Sequence, residues 1–358
     1  MLHHNLRALL AGGARLRGYR PQRGYLKLVS LGERAALAEK AGLVVQGPLI
    51  WRWKDRIDRA FMDRFDRLPA MPAAEVPRGA ADGLAPALAA RPPCAGCGAK
   101  VGPVTLAAAL GTLPAPARAD VVAGRGDDAA VLRAGSGFTV LTTDHLRAFT
   151  GDERLMARIA AVHAMGDVCA MGAAPQAALA QVVLPRATPQ IHAAMLEAIM
   201  AAAAGVFGAA GADVVGGHSS VGAELTIGFT VTGTLDRPAL TKAGARPGDA
   251  LILTKPLGTG TILAALMAAV AAPGIVLGEA VEAAFASMAR LPTGAARILA
   301  PAARAMTDVT GFGLAGHLLE MLAASGTAAT LTALPFLPGA VALAAAGQAS
   351  SLAPENRA

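Results

Sequence analysis

The chain has 358 residues, enough for two or three domains and a substantial core. Hydrophobic residues make up 54% of it, yet only 13 residues are aromatic, so the core must consist mainly of Ala, Leu and Val. This composition excludes disorder over the whole length. The net charge of +7 is uneven, because residues 1–93 carry 16 basic and 8 acidic side chains while the remainder is nearly neutral. A charge confined to one short segment does not indicate a nucleic-acid-binding protein.

Cysteine usage and hydropathy indicate a cytoplasmic protein. The three cysteines, Cys94, Cys97 and Cys169, are too few to hold a chain of this length together by disulfides. The longest apolar run, residues 262–272, is much shorter than the roughly 20 residues that span a bilayer. We therefore expect a soluble protein without stable membrane insertion.

Residues 1–67 predict a small segment of strands and one helix. Residues 25–31 and 41–47 are extended runs separated by a polar stretch. Residues 48–65 predict an amphipathic helix. Its large apolar residues recur every four positions: Trp53, Ile57, Phe61 and Phe65. We expect this helix to pack on the strands before it. Residues 68–93, rich in Ala, Pro and Gly, predict a linker.

Beyond the linker, strand-like and helix-like stretches alternate, which predicts an α/β (α+β) fold rather than an all-helical one. A polar turn with Gly and Pro at residues 241–249 separates two such units. We therefore expect domains at residues 94–240 and 241–358. A short apolar run at residues 250–254 predicts one of the strands.

The motif CAGCGAK directly follows the linker, at residues 94–100. A thiolate is the reactive form of cysteine, and a nearby ammonium group lowers the thiol pKa. Cys97 and Lys100 are therefore candidates for a mobile reactive loop. A redox dithiol of Cys94 and Cys97, or half of a zinc site, are alternatives, although the chain has no second Cys pair to complete a zinc site.

A set of aspartates with small neighbours suggests a metal and nucleotide site. Magnesium takes oxygen ligands and is usually held by a few carboxylates together with substrate phosphates. Asp167 and Asp308 lie in apolar stretches, where a lone carboxylate is costly to bury without a metal or hydrogen-bond donors. A helix cap or turn is the alternative for any single member. The set comprises Asp127, Asp128, Asp144, Asp167 and Asp308.

The motif VVGGHSS, residues 214–220, presents two glycines beside a histidine and two hydroxyls. Such a turn can offer backbone N–H groups to phosphate, but an ordinary helix-to-strand turn is equally compatible. The sequence has neither GxxxxGK[ST] nor GxGxxG opening a helix.

Three further residues have simpler interpretations. His163 falls on the same helical side as Asp167. His317 is expected to be a helical histidine whose hydrogen bonds are satisfied, and Cys169 is expected to be a small core residue.

Seven motifs together resemble selenophosphate synthetase (selenide, water dikinase). In chain order they are CAGCGAK, GRGDDAAV, TTDH, GDVCAMGAAPQAAL, GGHSS, LTKPLGTG and MTDVTGFGLAGHLLEM. The resemblance covers residue 94 to the C-terminus. It implies the two-domain fold of aminoimidazole ribonucleotide synthetase-like ATP enzymes, with the nucleotide bound by the first domain. It also implies phosphorylation of selenide by ATP, with AMP and orthophosphate as the other products, in a homodimer.

The same resemblance implies roles for individual residues. Cys97 stands at the family's reactive Cys or selenocysteine, and Lys100 at its essential lysine. The implied magnesium ligands are Asp128, Asp167 and Asp308. The implied nucleotide-binding positions are Lys100, Arg125, Gly126, Asp127, Asp144, Asp167, Gly217, His218 and Ser219.

The sequence departs from the family pattern in three places. His163 stands where some members have Asn, and Ala99 where some have another Cys. The chain stops before the family's last Gly- and Thr-containing segment, so we expect the second domain to lack its end.

Residues 1–67 resemble the C-terminal end of flavin-dependent NADH dehydrogenase-like proteins, which some bacteria fuse ahead of selenophosphate synthetase. Because the FAD- and NAD-binding portions are missing, no redox activity is expected of this segment.

Two alternative functions remain open at this point. Another ATP enzyme of the same superfamily, such as a thiamine-monophosphate kinase-like protein, would explain the aspartates and leave CAGCGAK unexplained. A noncatalytic thiol-redox or membrane-docking protein would explain the CxxC motif and the amphipathic helix, and would leave the aspartates unexplained.

Overall fold

The computed structural model describes residues 2–10, 15–18, 20–21, 24–66, 79, 100–101, 103–114, 116–124, 126–270, 272–354 and 356. The chain forms two compact units, Met1–Arg78 and Gly79–Ala358. The predicted linker lies outside the described residues apart from Gly79, as do Cys94, Cys97 and Arg125.

The first unit contains helix α1 and a three-stranded antiparallel sheet followed by helix α2. The strands pair in the order β1-β2-β3, and α2 packs mainly against β2. The bounds are α1 Leu2–Leu10, β1 Lys27–Gly32, β2 Ala35–Lys40, β3 Leu43–Gly47 and α2 Pro48–Asp66. The polar stretch between the two predicted strands is therefore a strand itself.

Helix α2 packs on the sheet, but the apolar side chains predicted to face the strands remain about half exposed. Trp53, Ile57 and Phe61 are 46%, 43% and 55% exposed. The sheet residues buried in this unit are Ala36 and Ala38, which are small and lie on the middle strand. A narrow sheet with alanines at its centre cannot cover three large side chains on one helix.

The second unit is built on a six-stranded sheet with strand order β4-β5-β6-β9-β7-β8. All neighbouring strands are antiparallel except β7 and β8, which are parallel. The strands are β4 Val121–Ala123, β5 Ala130–Ala134, β6 Gly137–Arg147, β7 Ala174–Pro185, β8 Asp213–Gly222 and β9 Thr226–Leu235. The prediction of a turn at residues 214–220 was wrong, because these residues belong to strand β8.

Helices α4 (Glu153–Ala170) and α5 (Pro189–Ala209) pack against each other and supply the main core with the sheet, while α3 (Pro103–Gly111) precedes β4. Asp152 caps α4 by accepting hydrogen bonds from the N–H groups of Arg154 and Leu155. The helix lies so close to β9 that a Cβ atom on Gly233 would be 2.4 Å from the side chain of Val168. This close approach fixes the end of α4, where Asp167 lies.

Among the described residues, one helix, α5, is long and apolar enough to cross a membrane by length and composition. It has 21 residues and a mean hydropathy of 1.6 in its most apolar window, of which 22% is buried. Its residues Ile199, Ala203 and Phe207 are fully buried in the main core. A single helix of this kind is weak evidence for membrane insertion.

The C-terminal part of the second unit is helical. Its helices are α6 Thr259–Ala268, α7 Leu277–Met288, α8 Thr293–Leu299, α9 Gly313–Ser325 and α10 Ala340–Ala345. Ile262, Ala284 and Leu343 belong to a second, smaller core. The strand predicted at residues 250–254 is not formed, because a strand needs a pairing partner and the described residues provide none there. Sheet and helices together confirm the predicted mixed α/β class.

Candidate active site

Four of the predicted aspartates come from separate segments of the second unit. Asp128 lies in the turn between β4 and β5, Asp144 within β6, and Asp167 on the last turn of α4. Asp308 lies in the loop that leads from α8 into α9. Chain order alone therefore does not dictate that these carboxylates meet.

The structure nevertheless brings Asp128, Asp167 and Asp308 together. Thr307 donates a hydrogen bond from Oγ1 to Oδ1 of Asp128, at 3.0 Å, across 179 positions of the chain. One carboxylate oxygen of Asp128 and one of Asp308 lie within 4.8 Å of each other. Asp308 also lies close to Gly166, which directly precedes Asp167. A Cβ atom built on Gly166 would be 3.3 Å from Oδ2 of Asp308. The three predicted magnesium ligands thus form one cluster.

These three carboxylates destabilise each other's charge. Burial raises the pKa of Asp128 to about 6. The positive charge of Lys242 lowers this pKa, and the negative charge of Asp167 raises it further. Burial and then the charges of Asp167 and Asp128 raise the pKa of Asp308 well above its usual value. Burial also raises the pKa of Asp167, although Thr142 donates a 2.5 Å hydrogen bond to its Oδ2. Such a cluster favours a bound cation, because a cation stabilises the ionised form of all three carboxyl groups.

An unpaired oxygen marks where a cation fits. Oδ2 of Asp128 is buried and has no hydrogen-bond partner among the described residues. An acceptor that is buried without a donor is costly unless a metal ion or water completes it. Carboxylate oxygens are also the ligands that Mg²⁺ prefers. The residues present therefore fit a magnesium ion.

His317 lies at the edge of this cluster, with a ring nitrogen within 4.8 Å of carboxylate oxygens of Asp128 and Asp308. Its Nε2 accepts a 3.2 Å hydrogen bond from the backbone N–H of Thr310, so Nδ1 must carry the proton of the neutral ring. Burial lowers its pKa to about 4, which keeps the ring neutral. The lone pair of Nε2 is therefore already used by the backbone of Thr310. We expected both ring nitrogens of His317 to have hydrogen-bond partners. Only Nε2 has one, because Nδ1 is buried without a partner among the described residues.

Asp144 forms a different environment beside the three carboxylates. Its Oδ2 lies 3.1 Å from Nζ of Lys100 and 2.8 Å from Nε2 of His163. Burial opposes ionisation, but the hydrogen bond with His163 and the charges of His163 and Lys100 hold the pKa of Asp144 well below its usual range. Asp144 is therefore ionised and tethers Lys100, the residue that closes the predicted reactive loop. The charges of Asp144, His163 and Lys100 also act on Asp167, so the two groups share one site.

Lys242 belongs to this site and was missed from the sequence. Its backbone N–H donates to Oδ1 of Asp127 at 3.0 Å, and its Nζ donates to the carbonyl of Gly126 at 3.3 Å. Nζ also lies 3.4 Å from Oδ1 of Asp128 and 2.7 Å from Oε2 of Glu320. Burial acts to lower its pKa, but the hydrogen bond to Glu320 and the charge of Asp128 raise it overall. A lone lysine in a turn with Gly and Pro gives no periodic signal that would have identified it.

Two threonines were also missed from the sequence. Thr142 and Thr307 hold Asp167 and Asp128 in place by the hydrogen bonds given above. Thr307 directly precedes Asp308, so its position in the motif MTDVTGFG was the signal that could have identified it.

Three of the predicted nucleotide-binding residues show no contact with the carboxylate cluster in the described part of the chain. Gly217, His218 and Ser219 are exposed on the edge strand β8. The described part of the chain shows no hydrogen bond from them to the aspartates. Gly217 has a φ of +157°, and a Cβ atom on it would be 2.1 Å from the carbonyl oxygen of Ala180. The pairing of β8 with β7 therefore requires glycine here.

Comparisons with known proteins agree with the fold. Residues 126–235 match the N-terminal domain of the AIR synthase related protein family, and residues 246–353 match its C-terminal domain. The crystal structure of tt0281 from Thermus thermophilus superposes with a TM-score of 0.53 at 23% identity, covering 68% of this chain and 78% of that one. The structure of AaThiL complexed with AMPPCP and TMP gives a TM-score of 0.50 at 20% identity, covering 63% and 71%. The predicted aminoimidazole ribonucleotide synthetase-like fold is confirmed.

Closer relatives identify the family. The selenide, water dikinase of Nitratidesulfovibrio vulgaris (strain DSM 19637 / Miyazaki F) is 41% identical over 273 residues, which cover 74% of this chain and 76% of the relative. That of Geobacter metallireducens (strain ATCC 53774 / DSM 7210 / GS-15) is 39% identical over 261 residues, covering 71% and 74%. The similarity of residues 1–67 to NADH dehydrogenase-like proteins stays a prediction. The chain, with its convergent carboxylates and its Lys100–Asp144 pair, belongs to the selenide, water dikinase family.

Proposed function

We propose that this chain phosphorylates selenide with ATP as the phosphoryl donor and consumes one water molecule, giving selenophosphate, AMP and orthophosphate. The observation that carries the proposal is the convergence of Asp128, Asp167 and Asp308 around a buried, unpaired carboxylate oxygen. The names of the relatives supply the second substrate, selenide. The thiamine-monophosphate kinase-like alternative has less support, because the relatives that match at 35–41% identity are selenide, water dikinases.

Asp128, Asp167 and Asp308 would hold magnesium. The ion would neutralise charge on the triphosphate of ATP. Thr142 and Thr307 fix the orientation of two of these carboxylates before any ligand arrives. Preorientation of this kind lowers the cost of assembling a charged site.

Lys100 supplies a further cation beside Asp144, and its charge also acts on Asp167. Asp144 holds its ammonium group at 3.1 Å, with His163 on the same carboxylate oxygen. We infer that Lys100 faces the reacting phosphate and that Asp144 restricts its motion. Cys97, three residues earlier, would bring its thiolate to the selenide substrate, as the family resemblance implies. Arg125, Gly126 and Asp127 would contribute to the nucleotide site from the turn that carries Asp128.

A homodimer is supported by the open face of the large sheet. Leu141, Thr143 and Leu179 alternate with buried residues and are exposed on the side away from α4. Thr143 and Leu179 both pair with Thr230 of β9, so the three strands present one continuous surface. An exposed apolar patch on a sheet is a common site of subunit contact. Leu141→Glu combined with Leu179→Glu should give a monomer in light scattering.

We also retain the predicted organisation of the chain. The second, smaller core consists only of residues after 241, which supports domains at residues 94–240 and 241–358 behind the segment at residues 1–67, and Leu263 also joins the main core. A cytoplasmic location and the absence of nucleic-acid or membrane partners are part of the same proposal.

The function is tested by phosphorus NMR on the protein with ATP, magnesium and selenide under reducing conditions. We expect a selenophosphate resonance with AMP and orthophosphate. Asp308→Asn should abolish all three products, while Asp236→Asn, at an exposed position, should leave them unchanged. ADP as the sole nucleotide product would support the ordinary kinase alternative and contradict the proposal.

A further inference from the structure

The side chain of Lys242 is almost enclosed by acceptors of the metal site. It is only 12% exposed, and its Nζ lies between Asp128 at 3.4 Å and Glu320 at 2.7 Å. A third contact, to the carbonyl of Gly126 at 3.3 Å, holds the ammonium group beside the turn that carries Asp128. The lysine therefore already supplies a positive charge to one of the three clustered carboxylates.

Its two acidic partners differ in their surroundings. The side chain of Asp128 is 4% exposed, whereas that of Glu320 is 42% exposed and lies on α9. The contact to Glu320 is the shorter one. Lys242 thus has an anionic partner outside the carboxylate cluster, to which the ammonium group can remain paired when it leaves Asp128.

A divalent ion at the cluster would lie close to this ammonium group. At separations of a few ångströms, like charges in a partly buried site repel each other. Metal binding to Asp128 therefore competes with Lys242. A triphosphate entering the site would offer the lysine new acceptors and would remove this competition.

We propose that Lys242 is a positioning residue that competes with the metal for Asp128 and so makes metal binding depend on nucleotide. The inference rests on the metal site proposed above. Lys242 opposes binding of the metal alone, and it favours the metal and the triphosphate together. The two ligands consequently bind with positive coupling, which is reciprocal by thermodynamic necessity.

Binding of Mn²⁺ alone to the full-length protein, followed by electron paramagnetic resonance, tests the competition directly. Lys242→Met removes the competing charge and should tighten Mn²⁺ binding by about fivefold or more. Glu320→Gln removes the alternative partner, leaves the lysine on Asp128 and should weaken Mn²⁺ binding by about threefold. The double variant should behave like Lys242→Met, because Glu320 acts through the lysine.

A merely structural ion pair predicts a different pattern. If Lys242 and Glu320 only stabilise the fold, both substitutions should weaken Mn²⁺ binding or leave it unchanged, and either result for Lys242→Met overturns the inference. If Lys242→Met does not fold, Glu320→Gln provides the second test, because Glu320 is partly exposed. An unchanged Mn²⁺ affinity in Glu320→Gln also overturns the inference.

A second series with a non-hydrolysable ATP analogue separates this inference from the proposed function. The analogue should tighten Mn²⁺ binding to the unsubstituted protein, and Lys242→Met should reduce that gain by about fivefold. An equal gain in both proteins contradicts the role of Lys242 and leaves the metal site intact. No Mn²⁺ binding to the unsubstituted protein, with or without the analogue, would overturn the proposed metal site and the inference with it.

Discussion

Gly166 lies so close to Asp308 that a Cβ atom on the glycine would be 3.3 Å from Oδ2 of the aspartate. The two residues are separated by more than 140 positions and belong to the end of α4 and the loop before α9. A side chain at residue 166 would press on the carboxylate. The glycine next to Asp167 therefore allows a second carboxylate to approach the first.

Replacement of Asp308 by Asn should abolish magnesium-dependent ATP binding. The substitution leaves the metal under-coordinated and the phosphate charge less neutralised, an effect of roughly several kcal/mol at metal-phosphate sites. Isothermal titration calorimetry with Mg-ATP measures the loss, and Asp236→Asn at an exposed position is the matched control. Binding of Mg-ATP to a folded Asp308→Asn protein at the level of the control would refute the shared metal site.

Asp128→Asn should stabilise the metal-free protein, and the gain should depend on pH. The folded pKa of Asp128 is about 6, above the ordinary value of 3.8, so the folded state binds more protons than the unfolded state between these values. Stability from this group therefore falls as pH rises through that window, and the penalty is fully present above pH 6. Asparagine does not ionise and avoids a penalty of at most about 3 kcal/mol.

Thermal unfolding in EDTA at pH 5 and pH 7.5 measures this difference. The melting temperature of Asp128→Asn should exceed that of the unsubstituted protein by more at pH 7.5 than at pH 5. Added magnesium should stabilise the unsubstituted protein and not the variant. An equal difference at both pH values would show that Asp128 is not the group responsible.

The carboxylate cluster could be predicted from the sequence because its members carry recognisable motifs, and the family resemblance supplied their grouping. Lys242 could not, since its importance depends on contacts with Asp128 and Glu320 that only the folded chain creates. Amphipathic spacing identified helix α2 correctly. It did not reveal that Trp53 and Phe61 would remain half exposed, because a pattern shows which face is apolar and not how large a surface covers it.

Cys97→Ser should reduce selenophosphate formation by about tenfold or more while ATP binding stays nearly intact, because the thiolate and not the nucleotide site is removed. Cys94→Ser should have a mild effect. Both cysteines lie outside the described residues, so the prediction depends on the family resemblance and on the three-residue spacing to Lys100. Product formation and nucleotide affinity are measured separately in a reducing assay. Equal losses from both substitutions would indicate a paired dithiol or a metal site instead.

Strand β8 was missed because its centre reads GGHSS, and glycine is uncommon inside strands. The structure gives the physical reason for Gly217, whose missing side chain leaves room for the carbonyl of Ala180 on β7. Maintaining this contact does not by itself require a role in nucleotide binding. The strand role and the nucleotide role can therefore be separated by experiment.

Gly217→Ala should destabilise the protein by about 2 kcal/mol or more without any ligand, since the new methyl group overlaps the backbone of β7. Gly205→Ala is the matched control. Gly205 lies inside α5 with open space around it, so the alanine should add up to about 1 kcal/mol of helix stability.

His218→Ala, at an exposed position on strand β8, should leave the melting temperature unchanged and weaken ATP binding if the implied nucleotide contact exists. Thermal unfolding and ATP titration of the three variants measure these effects. Unchanged ATP affinity in His218→Ala would remove this strand from the nucleotide site and leave Gly217 with the strand-pairing role alone.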